Sequence, residues 1–131
     1  MMPLGFVGVN SLTLTSDILR KGEKVTKSEA TIQAEIMLAV SQAGHTVWRS
    51  NAGAVRSAQG YVIKLFPEGF PDLVGFRGTD GKFFEIEVKN AKGRLREPQK
   101  RFADFASKKP IIYGVARSAD DAINLIKEDS N

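Results

Sequence analysis

The sequence predicts an α/β or α+β sandwich built on a mixed sheet flanked by helices. Three observations carry this. The periodic segments run helix, several strands, helix, strand, helix. Two strand-like runs flank the short link Gly78-Thr79-Asp80-Gly81, a hairpin signal. A short apolar run after Pro110, Ile111–Ala116, reads as a buried strand between two helical segments.

Each element has a local reason. A helix is expected over about 27–43, because Ile32, Ile36, Ala39, Val40 and Ala43 recur at helical spacing. Thr26-Lys27-Ser28-Glu29 fits a capping box at its start, and Gly44 is a natural stop. Thr46–Arg49 reads as a strand, followed by a loop through Asn51-Ala52-Gly53. Tyr61–Phe66 reads as another strand, ended by Pro67 and Gly69. Asp72–Arg77 and Lys82–Lys89 form the hairpin. After the Gly-rich, basic stretch 90–96 a helix begins near Glu97, with Pro98 in its first turn, where a missing N–H does no harm. Ser118 can cap a last helix over about 119–127, with Asp120 and Asp121 at its positive end.

The 131 residues suit one domain, spanning 27–131, and 1–26 read as an arm of unknown role with at most one short strand. With no cysteine, a disulfide framework and a thiolate metal site are excluded. No apolar run reaches the roughly 18–20 residues that cross a bilayer, so no membrane association is expected. MMPLGFVGVNSL lacks a basic start and makes a poor signal peptide, so a cytoplasmic setting is expected. The net charge of +4 mildly favours a polyanionic partner.

The run KFFEIEVKN, 82–90, holds the chemistry. Strand alternation puts Glu85, Glu87 and Lys89 on one face and Phe84, Ile86 and Val88 on the other. With 78–81 as the loop, Arg77 faces Lys82 and Asp72 faces Glu87. With a two-residue loop at Asp80-Gly81, Asp72 faces Lys89 instead. Both registers place Asp72, Glu87 and Lys89 on one face. Opposed carboxylates repel unless water screens them, they share a proton or a cation lies between them. Hard divalent cations take such oxygen ligands, and a neighbouring ammonium can hold an attacking water or offset phosphate charge. The triad is thus a plausible metal-dependent phosphodiesterase set.

More of the chain falls into a pattern. Ser28-Glu29, Ile32-Gln33, Val47-Trp48-Arg49, Asn51, Gly53-Ala54-Val55, Gly69-Phe70-Pro71-Asp72-Leu73, Ile86-Glu87-Val88-Lys89, Gly93-Arg94-Leu95 and Gln99 occur in that order. Over about 28–122 the chain resembles the VRR-NUC branch of the PD-(D/E)xK nucleases, the small stand-alone type common in phages. The resemblance implies a restriction-endonuclease-like core and cleavage of DNA phosphodiesters with Mg²⁺ or Mn²⁺. It implies work on recombination, repair or replication intermediates, often branched DNA such as Holliday junctions or flaps, and a homodimer. By the same resemblance Asp72 and Glu87 are metal-binding acids, the Val88 carbonyl a further ligand and Lys89 the catalytic lysine. Glu29 matches the acid of the first helix and Gln99 the glutamine of the helix after the motif. Arg96 stands where many relatives carry Ser or Thr, which predicts a weaker cap there.

Other residues read more plainly. Glu29 is also the acid of the expected capping box, and Asp72 could cap a turn after Pro71. Glu85 is expected to be a solvated or supporting carboxylate, Trp48 to be core rather than a base-stacking platform, and His45 to have no role. Gln99 shares a helix side with Phe102, Ala103 and Ala106, so it points inward and needs partners, a lysine or a metal-bound water. Lys92, Arg94, Arg96, Lys100 and Arg101 put five positive charges just after the motif and are candidate phosphate contacts, with Arg49 and Arg56 as weaker ones. The rival reading is a non-catalytic DNA-binding or interaction module on the same fold.

Overall fold

The computed structural model describes residues 25–51 and 53–128, so the expected arm lies almost wholly outside the described residues. Helix α1 spans Glu29–Gln42. Strand β1 is Thr46–Arg49, β2 Ala54–Arg56, β3 Val62–Lys64, β4 Leu73–Phe76 and β5 Phe83–Val88. Helix α2 is Glu97–Ala106, β6 Ile112–Ala116 and α3 Ala119–Glu128. The main sheet is four-stranded and mixed, in the order β1-β4-β5-β6. Its first three strands run antiparallel and β6 lies parallel to β5. This mixed sheet with its helices is a restriction-endonuclease-like core.

One face of the sheet is apolar. Leu73, Phe84, Ile86, Val88, Ile112 and Ala116 are buried against Ile32, Ile36 and Val40 of α1 and Ala122 and Ile126 of α3. Gly114 lets α3 come close: a Cβ there would lie 2.4 Å from a Leu125 methyl carbon. Helix α2 packs on the opposite face, where Phe102 meets Tyr113 with ring centroids 6.1 Å apart.

The hairpin takes the four-residue loop. Leu73 pairs with Ile86 and Phe76 with Phe83, and the Arg77 N–H donates to the Lys82 carbonyl at 2.8 Å. That register excludes the two-residue alternative and continues to Asp72 opposite Glu87. Gly81 closes the loop at a φ of 77°. Buried Arg77 locks it by donating from Nε and Nη2 to the Asp80 carboxylate, at 2.9 and 2.7 Å, and from Nη1 to the Ile126 carbonyl at 2.7 Å. The Arg77 guanidinium holds the Asp80 carboxyl far below the usual carboxylate range.

Three local expectations are corrected. The cap of α1 is Ser28, not Thr26: Ser28 Oγ accepts the Thr31 N–H at 3.1 Å. The third residue on is therefore Thr31, and Glu29 is released from capping. The expected strand over Tyr61–Phe66 is shorter. It is one arm of a separate ribbon in which Val55 pairs with Ile63, and every residue of β2 and β3 is exposed. Trp48 is not core. It is 52% exposed, because β1 is an edge strand and α2 does not reach it. His45 has a structural part that the sequence did not disclose: Nδ1 accepts the Gly78 N–H at 2.8 Å and ties α1 to the hairpin loop.

Candidate active site

The site lies where β4 begins and β5 ends. Pro71 is buried just ahead of β4, and Asp72 follows it at the open end of the ladder. Asp72 Oδ2 accepts the Val88 N–H at 2.9 Å, so the carboxylate is pinned across the hairpin instead of capping its own turn. Glu87 sits opposite, 2% exposed, and Gln99 Nε2 donates to its Oε2 at 2.8 Å. Gln99 Oε1 in turn accepts the Arg96 N–H at 2.8 Å. Gln99 does point inward as expected, but its partner is a carboxylate. The glutamine side chain thus supplies the returning half of a capping box, while Arg96, a donor-only side chain, cannot accept a first-turn N–H.

Lys89 is buried beside them, at 7% exposure. Burial, and then the Asp72 carboxylate, push the Glu87 carboxyl up to about 8, while the Lys89 ammonium pulls it back down. Two acids held this close favour one shared proton or one bound cation. Tyr113 is pushed up to about 12 by burial and by the charges of Glu87, Glu85 and Asp72. Glu85 corrects a further expectation. It is buried, not solvated; its Oε1 has no hydrogen-bond partner among the described residues, and burial raises its pKa. The cause is α2, which roofs this face over β5 and β6.

Glu29 reaches the site from the first turn of α1. Its Oε2 accepts the Asn90 N–H at 3.4 Å, and a Cβ on Gly93 would stand only 2.7 Å from that oxygen. Glu29, Gln33, Arg49 and Asp72 line one open cleft of ≈ 440 Å³. Among the described residues no three acidic or histidine side chains converge tightly enough to hold an ion by themselves. The close pair is Asp72 and Glu87, with Glu29 further out. The donor set is all oxygen and carries negative charge, which fits a hard divalent cation completed by backbone carbonyl and water.

Two residues here, Asn90 and Arg117, escaped sequence reasoning. Asn90 Oδ1 accepts the Lys92 and Gly93 N–H groups at 3.1 and 2.8 Å, forming an Asx turn directly after Lys89. Arg117 Nη1 donates to the Asn90 and Gly93 carbonyls, at 2.5 and 2.8 Å, and ties that turn to the start of α3. The Asn-x-x-Gly spacing after the motif was a legible turn signal, whereas Arg117 is 24 residues from Gly93 and had none.

Lys92, Arg94, Arg96, Lys100, Arg101, Arg49 and Arg56 are all exposed. Arg96 lies 3.8 Å from Glu68, and Lys100 lies 3.4 Å from Glu97. Exposed pairs of this kind are weak and exchange readily for phosphate. Arg56 instead donates to the Gly60 carbonyl within its own hairpin, at 2.8 Å.

A mixed sheet whose open end presents an aspartate, a Glu-x-Lys and a helix-borne acid defines a nuclease of the PD-(D/E)xK class. Residues 28–120 match the VRR-NUC domain, and the chain belongs to that family. Its relatives are nuclease-related, which makes DNA the substrate class, and such nucleases typically use divalent metals. Searches of curated proteins and of solved structures found no match. No helix among the described residues is long and apolar enough to cross a membrane.

Proposed function

We propose that the protein is a divalent-metal-dependent DNA endonuclease that hydrolyses phosphodiester bonds. The observation that supports this most is the Asp72–Glu87 carboxylate pair with Lys89 buried beside it. Asp72 and Glu87 would hold Mg²⁺ or Mn²⁺, with the Val88 carbonyl as a further ligand and Glu29 acting through water. The ion, when bound, supplies charge neutralisation at the scissile phosphate and a water of lowered pKa.

The chain's own residues prepare the rest. The Val88 N–H holds Asp72 through Oδ2, and the Gln99 amide holds Glu87 through Oε2. Lys89 keeps an ammonium beside the acid pair, where it offsets charge that builds on the phosphate. Lys92, Arg94, Arg96, Lys100 and Arg101, with Arg49 and Arg56, would contact the DNA backbone, so affinity should fall with salt. Phosphate contacts carry no sequence, which favours structure-selective cutting of branched or single-stranded DNA, such as Holliday junctions or flaps, in recombination, repair or replication. A homodimer, a phage-type cytoplasmic setting and a nuclease domain over 27–131 with a separate 1–26 arm complete the reading.

The test is cleavage of labelled four-way junctions, flaps, single strands and closed duplex, with and without Mg²⁺ or Mn²⁺. Cutting by the wild type that needs the metal and is absent in Asp72→Ala is expected. Equal inactivity of both proteins under both metals would make the non-catalytic module the better reading.

A further inference from the structure

Trp48 is the one tryptophan of the chain, and it is out in solvent on the face that carries the acid pair. Along β1 it stands opposite Val74. The ladder continues one step, with the Ser50 N–H donating to the Asp72 carbonyl at 2.9 Å. Trp48 and Asp72 are therefore diagonal neighbours on one face, with Cβ atoms roughly 7–8 Å apart. A gap of that length matches one nucleotide, with its phosphate at the acid and its base at the indole.

The ring is oriented but uncovered. Trp48 meets Phe76 edge to face, with centroids 5.9 Å apart and planes at 90°. Phe76 is braced in turn by Phe83, also at 5.9 Å. The next residue, Arg49, is exposed and lines the cleft with Asp72, which suits a flanking phosphate. A second copy of the chain is the other candidate occupant. Three half-exposed aromatic side chains offer on the order of 300 Å², well short of the roughly 800 Å² per partner of a stable interface.

We propose that Trp48 is a stacking platform for an unpaired nucleobase next to the scissile phosphate, giving the site a preference for single-stranded or frayed DNA over closed duplex. This rests on the nuclease reading above for the place of the phosphate. An aromatic ring accepts any base face, so the platform adds affinity without sequence preference.

The test uses the full chain without metal, so that nothing is cut. An oligothymidylate is titrated in while tryptophan emission, which has a single source here, is followed. Emission should be quenched to saturation, with the same midpoint as anisotropy of the labelled oligonucleotide. Trp48→Leu should weaken single-strand binding by roughly five- to a hundred-fold with an unchanged salt slope, because no charge is lost. Trp48→Phe should stay within a few-fold, and blunt duplex should bind both variants nearly as the wild type does.

Unquenched emission at saturation overturns the platform, and it needs no variant to fold. So does equal loss on duplex and single strand, or loss of self-association in sedimentation with DNA affinity intact, which would assign the ring to a second copy. Quenching without any metal-dependent cutting would sink the nuclease reading and leave the platform. Metal-dependent cutting without quenching would do the reverse.

Discussion

Strand β5 and the β2–β3 ribbon invert each other. Strand β5, whose last five residues are all buried, takes in Glu85 and Glu87, with Lys89 buried just beyond it. The ribbon exposes Val55, Val62 and Ile63, residues that normally drive burial. Neither follows from the residue types alone. On β5, Glu87 is attended by Gln99, the paired Asp72 and Lys89, whereas Glu85 is buried with one carboxylate oxygen unpartnered among the described residues. Among the described residues, the ribbon leaves its apolar side chains wet because its strands pair only with each other and no layer packs over them. Burial of charge thus marks the proposed active site, and exposure of apolar surface marks an element that the core does not stabilise.

Lys89→Met should cost on the order of 10³-fold in cleavage rate while circular dichroism stays native, since an apolar chain of similar length fills the space. Ile86→Ala, on the apolar side of the same strand, should lower unfolding free energy by about 2–5 kcal/mol, read from denaturant melts. A loss below about 1 kcal/mol would mean that β5 is less central than its burial indicates.

Glu87 predicts a pH dependence of the metal-free protein. Its folded pKa of about 8 lies above the ordinary value of 4.5, so the fold binds the proton more tightly than the unfolded chain does. That stability is fully present below the unfolded pKa and is lost as pH rises through about 8. Thermal stability should therefore fall between those limits, by on the order of a few kcal/mol, and Glu87→Gln should flatten the curve. Divalent metal should counter the fall and bind more tightly as pH rises, because it competes with the same proton. A wild-type curve that rises across this range would contradict the buried acid pair.

Arg117→Met should lower kcat by about 10- to 100-fold, as loss of a support behind a metal site commonly does, with KM for DNA nearly unchanged. The Asn90–Gly93 turn it holds contacts Glu29 and lies next to Lys89. A matching rise in KM would instead assign Arg117 to DNA contact. The smallest effect is expected in the ribbon, where Ile63→Thr should change stability by within about 0.5 kcal/mol. A large loss would reveal a layer over β2–β3.

Most of the fold was legible locally. Helical spacing in α1, the Gly-rich loop before β5, Pro98 and the Ser118 cap each set an element, because each acts within a few residues. The shared face of Asp72 and Glu87 was legible too, since strand alternation and loop parity are counting rules. Thr26 misled because two hydroxyl residues compete for one cap. Trp48 and Glu85 misled for a deeper reason. Whether a strand position is covered depends on which layer crosses it, and α2 roofs β5 and β6 but stops short of β1. The sequence by itself determined the elements, the acid pair and the lysine. Only the tertiary structure decided that Gln99 pins Glu87, that Arg117 holds the turn behind Lys89 and that the single tryptophan stands bare beside Asp72. Those are contacts between segments far apart in the chain, and periodicity carries no information about them.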